Sequence, residues 1–168
     1  MLPIKVYSLG DYYCTSGLRE LCHSIKDSHG EDAEEAFKEA GARLAELIPE
    51  DAVLIPIPSS GCYVDRLAEE IAARKWPGAY SRVNHVCSTV LDSKKNVSLY
   101  DLKKQGKNVT EDDCQFYLLN GVPEGRIVLV DNVMATGTTV SAAMETLGRR
   151  CEVAVIALDA TTFLESRK

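Results

Sequence analysis

The chain has 168 residues, a net charge of −6, 26% charged residues and 45% hydrophobic ones, enough to bury about two-thirds of its unfolded surface as one domain. That balance is ordinary for a globular protein and argues against nucleic acid as a partner, while leaving room for a local anion site. No apolar run approaches the roughly 20 residues of a membrane span, MLPIKVYSLG lacks a signal-peptide core, and six cysteines stand singly without C-x-x-C pairs or nearby histidine clusters, so the expectation is a reduced, cytoplasmic location without a membrane partner, with small buried or half-buried thiols and no zinc centre.

Taken in order, Ile4 to Ser8 reads as a short strand, and Tyr12-Tyr13 opens a turn-rich aromatic segment. From Gly17 to Lys26, Leu18, Leu21, Cys22 and Ile25 recur at helical spacing. A longer helix is expected from Glu31 to Ile48, with Ala33, Ala36, Phe37, Ala40, Leu44, Leu47 and Ile48 inward and Pro49 as its stop. Val53 to Ile57 reads as a buried strand in which Pro56 favours an edge or a strand end. Pro58-Ser59-Ser60-Gly61 is a turn, Val64 to Arg74 a helix, and Tyr80 to Val86 a further strand.

Between Thr89 and Asp113 the chain turns polar and lysine-rich, as expected of a lid, a binding loop or a disordered tract. Ile127 to Asp131 reads as a strand, Thr138 to Arg150 as a helix and Val153 to Leu158 as a last strand. Strands alternating with helices imply an α/β fold, a mostly parallel central sheet flanked by helices. Ligands of such sheets sit outside the carboxyl ends of the strands, which points to two tips, Pro58–Gly61 and Asp131–Thr139.

The second tip is the more informative. In Ala135-Thr136-Gly137-Thr138-Thr139 a small-residue turn opens a helix, whose N-terminus and free N–H groups favour an anion such as a phosphate monoester. Gly137 can take a positive φ, and the threonines add hydroxyl donors. Asp131 and Asn132, just upstream, would repel or ignore the phosphate but can bond sugar hydroxyls attached to it. The same residues also make an ordinary N-capped helix start, with Thr136 or Thr138 as cap. Neither G-x-x-x-x-G-K-[ST] nor G-x-G-x-x-G after a strand is present.

Val128-Leu-Val-Asp-Asn-Val-Met-Ala-Thr-Gly-Thr-Thr139 resembles the 5-phosphoribosyl 1-pyrophosphate (PRPP) motif of type I phosphoribosyltransferases. Gly17 to Lys26, Val53 to Pro58 and Lys107 to Phe116 are similar, in order, to pieces of the ComF-like (competence protein F-like) branch. The resemblance implies a single domain with a small hood over roughly 1–30 and a lid over roughly 89–113. It also implies ribose contacts at Asp131 and Asn132, which carry the catalytic assignment, and 5′-phosphate contacts from Ala135 to Thr139. Pyrophosphate would meet Ser59, Ser60 and Gly61. Mg²⁺ would be carried mainly by PRPP with Asp131 nearby, and a small-molecule acceptor and a homodimer are in keeping with the family.

Two departures stand out. Asn132 replaces the second acid of the motif, and Ala135 stands where hypoxanthine-guanine relatives carry an aspartate base. The turn at 58–61 also lacks a basic residue, and Arg66 beyond it reads as a surface contact. Of the lid lysines Lys94, Lys95, Lys103, Lys104 and Lys107, each ordinary as a solvated charge, Lys95 and Lys107 are the first candidates for ligand contact. Tyr12 and Tyr13 suit either a hood over the acceptor or a plain domain boundary. His23 would ride the first helix beside Cys22, His29 sit at a turn, and His85 be packed or solvated. Three readings follow: phosphoribosyl transfer from PRPP to a nitrogenous base, a PRPP- or nucleotide-binding regulator (or ComF-like protein linked to DNA handling) without turnover, and a hydrolase with Asp131 as nucleophile. The last lacks the further acids and lysine it needs.

Overall fold

The structure, a computed structural model, describes residues 3–27, 29–78, 83–95 and 99–166. Its elements are β1 (Val6–Ser8), α1 (Leu18–Asp27), α2 (Glu31–Leu47), β2 (Ala52–Pro56), α3 (Tyr63–Lys75), β3 (Leu91–Ser93), α4 (Leu99–Lys104), β4 (Phe116–Leu118), β5 (Arg126–Met134), α5 (Thr138–Leu147), β6 (Glu152–Leu158) and α6 (Ala160–Glu165). The main sheet runs β1-β6-β5-β2, every pairing parallel, and β3 and β4 form a separate antiparallel pair. The fold is α/β with a mostly parallel sheet flanked by helices.

Alternation along β5 sorts the two faces of the sheet. Val128 and Val130 pack with α1, α2 and α3, around Leu18, Ile25, Phe37, Leu44, Leu67 and Ile71. Ile127 and Leu129 pack the other way, with Val140, Ala143 and Leu147 of α5. The helix that follows β2 therefore lies on one face, while the helix that follows β5, its neighbour, lies on the other. Adjacent parallel strands whose connections leave in opposite directions open a crevice at their carboxyl ends.

Pro56 closes β2 as expected. The next residue, Ile57, donates its N–H to the Val130 carbonyl at 2.9 Å, so the missing N–H of Pro56 faces away from β5, where it interrupts no ladder bond. Beyond Val130, β5 pairs only with β6, through Asp131↔Val155, Val133↔Ala157 and Met134↔Leu158. Asp131 is thus the first residue of β5 past the end of β2.

Several expectations are corrected. Leu47 is 43% exposed, and Ala45 and Gly41 are buried in its place, because α2 ends at Leu47 and only Ile48 turns back into the core. Residues 80–82 lie outside the described ones. Of the strand expected there, His85 to Cys87 make one parallel bridge, Val86 to Leu54, with backbone bonds of 2.7 and 2.9 Å to Leu54. α5 stops at Leu147, because Gly148 takes a left-handed C-cap at φ 64°. The polar 89–113 segment holds β3, α4 and a short 3-10 turn at Glu111–Cys114, so it has structure of its own. Cys14 and Cys62 are exposed, not half-buried. Among the described residues no helix is long and apolar enough to cross a membrane.

α2 and α3 cross at Gly41, where a Cβ would come within 2.8 Å of Glu70 Cβ and 3.0 Å of its backbone carbon. Helix propensity alone would make alanine better there by about 1 kcal/mol. Overlap with backbone outweighs that, so Gly41→Ala is expected to cost about 1–2 kcal/mol net, read as a lowered urea midpoint with an unchanged slope.

Candidate functional site

The crevice at the ends of β2 and β5 holds two adjoining cavities. The smaller, about 60 Å³, is lined by Lys103, Asp131 and the run from Val133 to Val140. The larger, about 370 Å³, shares Lys103, Asp131 and much of that turn, and extends to Tyr12, Tyr13, His23, Lys26 and Tyr63.

The small cavity is formed by the start of α5. Gly137 is the N-cap, at φ 82° and ψ 5°, a conformation that strains any residue with a side chain. A Cβ there would also lie 3.4 Å from the Phe163 ring of α6. The Thr136 and Thr138 hydroxyls are 2.8 Å apart, and the Thr138 N–H donates to Thr136 Oγ1 at 3.3 Å. Thr136 therefore steadies the turn from just outside the helix, and neither threonine is the expected cap, a position that Gly137 takes. An α-helix leaves the N–H groups of its first turn without intrahelical partners, and here that turn faces a cavity of anion size. Apolar packing does not fill the corner.

Asp131 and Asn132 point to opposite sides of the strand. Asp131 is half-buried beside the turn and accepts the Asn132 N–H at 2.8 Å. Burial pushes its carboxyl up to about 6, and the bond from Asn132 pulls part of the way back. Asn132 is 6% exposed and donates Nδ2 to the Cys22 carbonyl of α1 at 3.2 Å. Its Oδ1 is buried with no hydrogen-bond partner among the described residues. An aspartate here would put a carboxylate against the Cys22 carbonyl, so the amide that departs from the acid pair suits a position that must donate.

The other expected residues are distributed unevenly. Ala135, Thr136, Thr138 and Thr139 line both cavities, and Gly137 the smaller. Ser59, Ser60 and Gly61 lie just past β2 and line neither, although Tyr63, two residues on, lines the larger. Ser59 Oγ instead accepts the Val64 N–H at 3.3 Å, at the start of α3. Lys95 and Lys107 line neither cavity, whereas Lys103 of α4 lines both. Lys95 Nζ is buried without a hydrogen-bond partner near Cys114 and Asp113, and that desolvation holds its pKa below the usual lysine range. Lys107 is exposed, with Asp113 in its electrostatic neighbourhood.

His23 lines the larger cavity, with Nε2 3.1 Å from the Tyr12 hydroxyl. His85 is packed, stacked on Trp76 at 3.8 Å with Nδ1 2.7 Å from the Ala52 carbonyl. Arg66 pairs with Glu34 and lies over the Phe37 ring.

Tyr63 and Asp159 are wall residues not anticipated from the sequence, and Lys103 is the one of the five lid lysines that reaches the cavities. Burial, followed by the nearby Asp131 charge, raises the Tyr63 hydroxyl above its ordinary value. Asp159 caps α6 through the Thr162 N–H at 3.1 Å, and Asp-Ala-Thr-Thr after an apolar strand is the N-cap signal that would have found it. Tyr63 carries no such local signal.

Among the described residues no three His, Cys, Asp or Glu side chains group as a metal cage. Asp131 is the carboxylate that lines both cavities, and so the one placed to meet a cation there.

No model of a known protein family matches the chain, and no curated protein sequence matches it either. Among solved structures the chain is similar to one described as the structure of the allosteric regulatory enzyme of purine biosynthesis, at 20% identity with a TM-score of 0.46. The similarity covers 83% of this chain and 30% of that one, so the chain spans less than a third of that protein's length.

Proposed function

We propose that the chain binds PRPP and transfers its phosphoribosyl group to a nitrogenous base or related acceptor, releasing pyrophosphate. The observation that carries this reading is the small cavity at the start of α5, lined by both a carboxylate, Asp131, and a lysine, Lys103. In this reading the 5′-phosphate accepts from the backbone N–H groups and hydroxyls of Ala135 to Thr139. Asp131 accepts a ribose hydroxyl, and Asn132, tied to the Cys22 carbonyl, keeps the strand tip that carries Asp131 in place. Lys103 adds positive charge over the same turn.

Transfer breaks the bond from the anomeric carbon to pyrophosphate and forms one to the acceptor nitrogen. Charge grows on the leaving oxygens while the sugar becomes cationic. Magnesium, when bound, neutralises the leaving pyrophosphate. The chain's own part is to orient the sugar, offer donors near Ser59 to Gly61, and keep water from the donor through the segment that carries α4. Ala135 brings no base, so an acceptor that needs a carboxylate at that position is poorly served. A ComF-like kinship forms part of this reading and rests on the sequence resemblance alone.

Calorimetry with PRPP and Mg²⁺ tests it. Thr138→Ala removes a hydroxyl of the turn, Asp131→Ala the sugar contact, and each is expected to weaken binding at least tenfold. Unchanged binding in both would end the idea.

A regulator that binds PRPP or a nucleotide without turnover is the second reading. It is favoured by the amide of Asn132, tied into the fold, and by the uncharged 58–61 turn outside both cavities. Pyrophosphate release across a panel of bases separates the two: release supports transfer, and tight binding without release supports the regulator.

A further inference from the structure

We propose that Asp11 is a positioning residue that holds the Tyr12–Tyr13 pair over the larger cavity, so that the base end of a nucleotide-like ligand is gripped there. The proposal rests on the phosphoribosyl reading of the same crevice and assigns what fixes its far wall.

The segment between β1 and α1 has little regular structure, yet it carries two rings that line the cavity. Those rings meet edge to face, centroids 4.9 Å apart at 87°. Tyr13 is 67% exposed, so burial in a core does not hold it. A carboxylate supplies the restraint. Asp11 Oδ1 accepts the N–H groups of Tyr13 and Cys14 at 2.9 and 2.8 Å, and Oδ2 accepts the Ala160 N–H at 3.1 Å. The first two bonds fold the loop on itself, and the third fastens it to the start of α6. Two backbone bonds finish the junction: Tyr12 N–H to the Leu158 carbonyl, and Leu158 N–H to the Gly10 carbonyl, both at 3.0 Å. Thr15 closes the loop from behind, its Oγ1 accepting the Asp11 N–H at 2.9 Å. It also fills the space beside Gly10, where a Cβ would collide with it.

Three charge-assisted bonds thus converge on one carboxylate, and they lower its pKa, the bond from Cys14 most. A neutral side chain cannot reproduce them all. Asparagine keeps one oxygen, enough for the Tyr13 and Cys14 bonds, but turns a donor toward the Ala160 N–H. Alanine keeps none. Loss of the staple frees the Tyr13 ring from the cavity, while Tyr12 keeps its His23 and Leu158 contacts and β5 and α5 stay as they are.

The test compares ribose 5-phosphate, which has no base, with the four common ribonucleoside 5′-monophosphates by calorimetry. In the native protein the best nucleotide is expected to bind at least tenfold tighter than ribose 5-phosphate, about the size of one aromatic–base stack. Asp11→Ala is expected to erase that advantage while ribose 5-phosphate affinity moves less than twofold, and Asp11→Asn should retain part of it. Tyr13→Ala, at an exposed position, removes the ring directly and should erase the advantage even if Asp11→Ala fails to fold. A purely structural Asp11 would instead lower both affinities together, and that result overturns the proposal. So does a native protein that binds the nucleotides and ribose 5-phosphate equally, or a Tyr13→Ala variant that keeps the full advantage. Absence of any ribose 5-phosphate binding in the native protein would overturn the underlying phosphoribosyl reading as well.

Discussion

An Asn132→Asp variant, which restores the acid pair of the PRPP motif, is expected to be less stable than the native protein by about 2–4 kcal/mol at neutral pH. The reason is positional. Asn132 is 6% exposed, and its Nδ2 donates to the Cys22 carbonyl. A carboxylate there faces an acceptor instead of offering a donor, in a buried site. Its folded-state pKa would rise above its unfolded value, so the penalty is absent once the pH is low enough to protonate both states. It is complete above the folded pKa. Urea unfolding at pH 7.5 and at about pH 4, near the ordinary aspartate pKa, should show a deficit that shrinks with acid. Equal stability at pH 7.5 would show that the Cys22 tie does not matter.

Asp131→Asn should behave in the opposite way. Burial raises the Asp131 carboxyl from 3.8 to about 6, so the charged form is disfavoured in the folded protein. A raised acid contributes stability that is fully present below 3.8 and lost as the pH rises through about 6. Because the group keeps some access to the cavity, solvent screens part of that cost. Asp131→Asn is then expected to stabilise the ligand-free protein by about 1–2 kcal/mol above pH 7. It should weaken PRPP binding at least tenfold in the same buffer. The gain should fade below about pH 6 and vanish below 3.8, the bounds of the native shift. Thermal unfolding across that range measures the gain. A variant that lost both stability and binding would mean that the carboxylate is structural, and a variant that kept full affinity would remove Asp131 from the site.

How much of this was legible in the sequence depends on the range of the interaction. The buried face of α1 could be read in full, because Leu18, Leu21, Cys22 and Ile25 carry their own helical period and are the buried ones, although the helix lies one residue later than expected, at Leu18–Asp27. The turn at Ala135–Thr139 was legible as a turn, since a glycine among threonines after an apolar strand has few other uses. Contacts distant in sequence left no such trace. β3 and β4 are three residues each, too short to show a period, and pair across more than 20 positions. Strand β5 runs on to Met134 because β6 accompanies it there, although local sequence marked Asp131 as the end.

The lysines show the same limit. Lys95, Lys103 and Lys107 look alike in a polar stretch, and only the placement of α4 brings Lys103 to the turn. Asn132 read as a weakened acid until its partner was visible, because Cys22 lies 110 residues away. Asp11 gave no signal either. Its three bonds join its own loop to a helix 149 residues on.

A crystal grown with ribose 5-phosphate or PRPP tests the anion cradle most directly. The phosphoester should be found within hydrogen-bond distance of the amides from Thr136 to Thr139, its sugar leaning toward Asp131. Ligand density elsewhere on the molecule, with that corner holding only solvent, would contradict the assignment.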